Sequence, residues 1–163
     1  MILVQITKKF QDIDVSIRKL EELVKTICRR FDLSKAAVSV AIVDDAQIRR
    51  INRQFLGRNV RTDCLSFDLS DGDECGWSSS ASFELVVNGE LAVKEANWRG
   101  HSSEAELALY VTHSMLHNLG FDDSTQEQAR KMHHAEDEIL RQLGYGVVYN
   151  KKTRIRKCKS TKA

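Results

Sequence analysis

His113 and His117 are four residues apart in the segment HSMLHNLGFDD. On a helix this spacing places two imidazole rings one turn apart on the same face, so that two ring nitrogens can converge on one ion. Gly120 then ends the helix, and the chain can fold back to bring a third ligand from the acidic pair 122–123. Three protein ligands and a water make a catalytic zinc-type site. The segment therefore predicts a divalent-metal site, although two histidines at this spacing also occur as hydrogen-bonded interior residues.

The residue after the first histidine argues against one familiar chemistry. Helical zinc proteases carry a glutamate there as general base, whereas this chain has Ser114. A serine cannot serve as that base, so peptide hydrolysis is not expected. A bound ion would lower the pKa of its water and polarise a phosphoryl or carbonyl oxygen.

The elements that must position this site alternate between strands and helices. Apolar residues recur at every second position in the strands and at every third or fourth position in the helices. The predicted strands lie at 2–6, 38–43, 64–67 and 83–93, and the predicted helices at 16–31, 44–55, 102–119 and 124–143. Their order predicts a single α+β domain, with a small mixed sheet packed with helices and the metal site at the end of a buried helix.

Composition is that of a soluble globular domain. The chain has 163 residues, with 42% hydrophobic and 29% charged residues and a net charge of +2. It has no run of eighteen apolar residues and no long apolar leader, so neither a membrane span nor a secretory signal is expected. The four cysteines are scattered without a C-x-x-C pair, which favours free thiols over disulfides or thiolate zinc ligation: Cys28, Cys64, Cys75 and Cys158.

The end of the chain is distinctly basic. From Lys151 onward it holds seven Lys or Arg residues and no acid. We therefore divide the chain into a domain at 1–149 and a basic tail at 150–163, for which a polyanion is the simplest partner. A solvated extension without a specific role is the alternative.

Three ordered blocks, together with two residues of the last helix, resemble the YbeY family of endoribonucleases, or rRNA maturation factors. HSMLHNLGFDD is similar to the family pattern H-G-x-L-H-L-x-G-Y/F-D-H, and residues 51–67 resemble N-x-x-[YF]-R-x-[KR]-[DN]-x-P-T-D-V-L-S-F. Residues 89–93 resemble the family's G-D-I strand, and Met132 with Glu136 matches its closing helix. The resemblance covers roughly residues 1–145.

The resemblance implies a zinc-dependent endoribonuclease that acts in rRNA processing and ribosome maturation. It implies that His113, His117 and Asp123 are the metal ligands, with the metal-bound water or the metal itself as the active element and no catalytic side chain assigned. It also implies ribosomal RNA or the small ribosomal subunit as partner, a possible ribosomal protein, no membrane, and a location in the cytoplasm or in an organelle matrix after processing.

Departures from the family pattern leave a second function open. Asp123 stands where the family has histidine, which shifts the metal preference toward oxygen-loving ions such as manganese. The family arginine thought to matter for catalysis falls on Leu56, and Arg58 or Arg61 is our hypothesis for the missing phosphate contact. The alternative function is a non-catalytic RNA-binding ribosome-assembly factor with a partly eroded metal site.

Overall fold

The computed structural model describes residues 1–70 and 80–146. The elements follow in chain order as β1 (Ile2–Lys8), α1 (Ile17–Arg30), β2 (Ala36–Val43), α2 (Asp45–Leu56), β3 (Cys64–Asp68), β4 (Ala81–Asn88), α3 (Gly89–Arg99), α4 (Ser103–Asn118) and α5 (Gln126–Gln142). Cys75, Cys158 and the basic tail at 150–163 lie outside the described residues. No helix in the described ranges is both long and apolar enough to cross a bilayer.

The four strands form one mixed sheet in the order β1-β2-β4-β3. β1 pairs with β2 and β2 with β4 in parallel, whereas β3 pairs with β4 in antiparallel register, with Cys64 opposite Val87. The predicted α+β class and the mixed sheet are thus confirmed.

The two faces of the sheet carry cores of different size. Alternate residues of β2 and β4 point into the main core, where they pack with α1, α4 and α5: Val38, Val40, Ile42, Phe83, Leu85 and Val87. A smaller cluster joins the opposite face to α2: Val43, Ile48, Leu65 and Val86. Burial of these side chains fixes β3 next to α4, the helix that carries the histidine pair.

Helix α4 lies in the main core, and its burial explains its composition. It is apolar on almost every side, as expected for a helix covered by the sheet, α1, α3 and α5. Its buried hydroxyls are satisfied locally, since Thr112 Oγ1 donates to the Ala108 carbonyl and Ser114 Oγ donates to the Tyr110 carbonyl. The side chain of Ser102 accepts from the Ala105 N–H and caps the first turn.

Side-chain caps mark the N-terminal ends of three predicted helices. Ser16 caps α1, Asp44 caps α2, and Thr125 forms a reciprocal capping box with Gln128 at the start of α5. Each cap satisfies a backbone N–H that the helix itself leaves without a partner.

The predicted strand at 83–93 is wrong beyond Asn88. The chain there turns into α3, because the Asn88 side chain accepts from the Leu91 N–H and begins a helix. The segment 89–93, which resembles a family strand, is therefore the first part of a helix. Gly89 permits this turn, since a Cβ atom at that position would lie 2.8 Å from Ile42 Cγ2.

Candidate metal centre

The histidine pair lies at the C-terminal end of α4 with its Nε2 atoms facing each other. His113 Nε2 and His117 Nε2 are 3.0 Å apart, and the rings meet nearly edge to face, with centroids 4.5 Å apart. Gly120 takes a left-handed conformation with φ 96°, and Phe121 N–H donates back to the Leu116 carbonyl at 3.0 Å. This reversal returns the chain toward the rings, as the sequence predicted.

The outer nitrogens of both rings are held by hydrogen-bond acceptors. His113 Nδ1 lies 2.6 Å from Glu136 Oε1, and His117 Nδ1 lies 3.2 Å from the Phe121 carbonyl oxygen. A carboxylate or a carbonyl can only accept, so both Nδ1 atoms carry the hydrogen. In the neutral rings both Nε2 atoms then present lone pairs to each other, and a cation between them, either a proton or a metal ion, removes the repulsion.

Asp123 supplies the third ligand atom. Its Oδ2 lies 3.9 Å from His113 Nε2 and 4.0 Å from His117 Nε2, and the three groups are the set of His, Cys, Asp and Glu residues in the described ranges that could hold an ion. A tetrahedral ion with bonds of about 2.0–2.1 Å places neighbouring ligand atoms about 3.3 Å apart. The two nitrogens are already within this distance of each other, and the Asp123 oxygen lies only slightly farther from both. The donor set therefore fits zinc or a similar divalent ion.

Glu136 and His133 belong to the same cluster and were not predicted as site residues. Glu136 is fully buried on α5, and its second oxygen lies 3.0 Å from His133 Nδ1. The His133 ring is nearly parallel to the His113 ring, with centroids 6.4 Å apart and an interplanar angle of 13°. The sequence did carry a signal, since Glu136 is the glutamate that matches the family's closing helix, but nothing in the spacing places it against α4.

Charge and burial set the protonation of this cluster. Burial lowers the pKa of His113, but the hydrogen bond and charge of Glu136, helped by Asp63 and Asp123, outweigh it and leave the pKa raised. Burial and the charge of His113 lower the pKa of His117. A proton that enters the pair therefore resides on His113, and a metal ion competes with it.

Glu136 is an ionised carboxylate under ordinary conditions. Burial raises its pKa, but hydrogen bonds from His113 and His133 and the charges on these rings outweigh burial and leave the pKa lowered. Glu136 thus places a negative charge against His113 and His133. The Asp123 carboxylate lies beside His113 and His117.

The loop before β3 approaches the same place. Asp63 accepts from the Cys64 N–H at 2.8 Å, and its charge is one of those that raise the pKa of His113. Burial and the charge of Asp63 raise the pKa of the Cys64 thiol well above its usual range, although a hydrogen bond with Ser114 opposes them. Cys64 is therefore a buried neutral thiol, in accord with the prediction of free cysteines in the described part of the chain.

The three residues at the predicted phosphate contact are distributed between the two ends of α2. Arg61 Nε is 2.7 Å from Asp45 Oδ1, so this arginine is already paired with the first turn of α2. Arg58 follows the left-handed Gly57 that ends α2, and its N–H donates to the Asn52 carbonyl. Leu56 is 38% exposed at the last position of the helix.

The three histidines outside the proposed ligand set differ in their surroundings. The ring of His101, at the junction that precedes α4, is buried, and its Nε2 makes a hydrogen bond with the buried carboxylate of Glu106, which Arg99 also contacts at 3.3 Å. His133 and His134 are adjacent on α5 and point in different directions. The side chain of His134 is 81% exposed, whereas His133 contacts Glu136.

The chain is similar to known proteins over most of its length. The family profile described as Endoribonuclease YbeY matches residues 5–144. A protein of Caldicellulosiruptor bescii with that description is 32% identical over 143 residues, covering 82% of this chain and 90% of the relative. Another, of Carboxydothermus hydrogenoformans, is 36% identical over 107 residues, covering 66% of this chain and 72% of the relative.

A solved structure supports the fold. The solution structure of a Thermotoga maritima protein superposes with a TM-score of 0.55 and 23% sequence identity, covering 94% of this chain and 100% of that one. At this identity the likeness concerns the fold alone.

Proposed function

The chain belongs to the YbeY family of endoribonucleases, and from this premise we propose that it cleaves ribosomal RNA in a metal-dependent reaction during ribosome maturation. The observation that carries the proposal is the convergence of two Nε2 lone pairs and one carboxylate oxygen at the end of α4. Such an arrangement is costly without a cation, so the geometry favours a site built for an ion.

We assign the metal ligands as His113 Nε2, His117 Nε2 and Asp123 Oδ2, with zinc as the first choice. When bound, the ion supplies Lewis-acid activation of a water and polarisation of a phosphoryl oxygen. Asp123 makes the ligand set one negative charge richer than a three-histidine site, so manganese is the alternative ion to test. No catalytic side chain is assigned beyond the ligands.

The surrounding residues hold the ligands in place. The hydrogen bond from His117 Nδ1 to the Phe121 carbonyl fixes that ring, and the Gly120 reversal brings Asp123 beside it. Arg58 and Arg61 are both assigned to contacts with RNA phosphates, and the Nε of Arg61 is also paired with Asp45 Oδ1.

The basic tail supports the proposal from outside the metal centre. Seven Lys or Arg residues from Lys151 onward are suited to the phosphates of ribosomal RNA or of the small ribosomal subunit, with a ribosomal protein as a further partner. The proposed place of action is the cytoplasm or an organelle matrix. Deletion of residues 150–163 should weaken RNA binding and flatten its dependence on salt, whereas unchanged affinity would remove the tail from the proposal.

A non-catalytic assembly factor is the second candidate. Leu56 favours it, because an apolar side chain occupies the place of the family arginine, and Asp123 favours it as a departure from histidine. This function predicts salt-dependent RNA binding without cleavage under any divalent ion.

The experiment that separates these functions compares His117→Ala with His134→Ala. His134 is a matched control, since it is a histidine on the neighbouring helix whose side chain is 81% exposed. Metal content is measured by elemental analysis, and cleavage is measured on a structured rRNA fragment. The proposal expects His117→Ala to lose both and His134→Ala to retain both; unchanged metal content and cleavage in His117→Ala would refute it.

A further inference from the structure

Glu136 is the group in this cluster whose burial most requires explanation. Its side chain is 0% exposed, and both of its oxygens face imidazoles, with Oε1 2.6 Å from His113 Nδ1 and Oε2 3.0 Å from His133 Nδ1. A buried carboxylate is costly unless its lone pairs are satisfied. Here two aromatic N–H groups from different helices satisfy one carboxylate.

Core packing on either side of Glu136 fixes the backbone of α5 at this position. Met132 and Ile139, one turn to either side on α5, are fully buried and belong to the main core with α4. The position of the Glu136 carboxylate relative to the last turns of α4 is therefore fixed. A carboxylate fixed in this way accepts a hydrogen from one nitrogen of His113 only.

We propose that Glu136 is a positioning residue of the metal centre, held in place by His133. It keeps the hydrogen of His113 on Nδ1 and orients the ring so that the Nε2 lone pair points toward His117 and Asp123. The inference rests on the proposed metal function and assigns to α5 a part that the three-ligand set does not contain. A rotation of the His113 ring by half a turn would break the bond to Glu136, so only one orientation of the ring is supported.

His133 completes the arrangement from the other side. Its N–H engages the second carboxylate oxygen, and its ring lies nearly parallel to that of His113. His117 is held differently, since its Nδ1 faces a backbone carbonyl. A side-chain substitution can therefore loosen His113 through Glu136 while it leaves the bond that holds His117 intact.

The test measures metal affinity and geometry in Glu136→Gln, with Glu106→Gln as the matched control. Glu106 is likewise a buried glutamate bound to a histidine, but its partners are His101 and Arg99 rather than a ligand of the proposed ion. Zn²⁺ and Co²⁺ affinities are obtained by competition with a chromophoric chelator, and the visible absorption of the Co²⁺ form reports ligand geometry. Thermal unfolding of the metal-free proteins is measured in parallel.

Loss of a carboxylate behind a ligating histidine typically weakens metal binding about 10–100-fold. We expect a loss in this range and a changed Co²⁺ spectrum in Glu136→Gln, with affinity and spectrum preserved in Glu106→Gln even if both variants are less stable. Wild-type affinity and spectrum in Glu136→Gln would overturn the positioning role but would leave the proposed metal site intact. Absence of metal binding by the wild-type protein would instead overturn the proposed function and the inference with it.

A second variant keeps the test decisive if Glu136→Gln does not fold. Glu136→Asp retains the negative charge but is one methylene shorter, so the carboxylate withdraws from His113 Nδ1. The positioning role expects weaker Zn²⁺ binding and a changed Co²⁺ spectrum in this variant as well. Unaltered binding and spectrum would show that charge alone matters and would overturn the proposal.

Discussion

Binding of a divalent ion by His113, His117 and Asp123 should raise the thermal stability of the protein. The three ligand atoms lie within 4.8 Å of one another in the folded chain, and the unfolded chain has no such arrangement. An ion that binds only the folded state stabilises it by the free energy of saturation. The ion also joins the end of α4 to the segment that follows Gly120, where Phe121 N–H donates to the Leu116 carbonyl.

The size of the effect follows from linkage. At a free ion concentration one hundred times the dissociation constant, the folded state gains about 2.7 kcal/mol. For a domain of this length each kcal/mol shifts the midpoint by about 2–4 °C, so the expected rise is about 5–11 °C. The chain has four cysteines, and thiols of the unfolded chain that bind zinc would reduce the shift. Mn²⁺ and Co²⁺ are therefore measured beside Zn²⁺.

The assay is thermal unfolding followed by circular dichroism, with and without each ion, after removal of metal by a chelator. His117→Ala should lose the shift because only two ligands remain, whereas His134→Ala should keep it. A full shift in His117→Ala, or no shift of the wild-type protein with any of the three ions, would refute the reasoning.

Three other perturbations test separate parts of the structure. Asp123→His should bind zinc more tightly relative to manganese, because imidazole replaces the harder oxygen ligand; competition binding with both ions checks this, and an unchanged ratio would argue against Asp123 as a ligand. Gly89→Ala should destabilise the protein by about 1–3 kcal/mol, since the added Cβ would lie 2.8 Å from Ile42 Cγ2; denaturant unfolding measures the loss, and wild-type stability would contradict the contact. The metal-free protein should lose the stability contributed by Glu136 as the pH falls, because hydrogen bonds outweigh burial and lower the pKa of this residue below its ordinary 4.5. That contribution is fully present above about pH 4.5 and is lost as the pH falls through the lowered pKa of the folded state. If the stability of Glu136→Gln fell with decreasing pH as steeply as that of the wild type, the prediction would be contradicted.

Local signals were sufficient for most of the fold. The spacing of apolar residues was sufficient to predict strands β1 and β2 and every helix except α3. The side chains of Ser16, Asp44 and Thr125 accept hydrogen bonds from the first turn of the helix that each one caps. These features act over a few residues, so the sequence displays them directly. For the same reason the pair His113 and His117 was predictable, because a separation of four on a helix needs no knowledge of the rest of the chain.

The failures concern contacts between distant segments. A β-branched run leads into α3, and the switch from strand to helix depends on the Asn88 cap and on the space that Gly89 leaves beside Ile42. His101 is buried because Glu106 and α3 surround it, which no local pattern shows. Glu136 lies 23 residues from His113 along the chain, and only the packing of α5 on α4 brings them together.

The most direct measurement is the cleavage of a structured rRNA fragment by metal-stripped protein as a divalent ion is titrated back. The account predicts no cleavage in the presence of chelator, recovery that saturates with one ion per chain, and no recovery in His117→Ala. Cleavage that persists without metal, or that His117→Ala recovers in full, would contradict it.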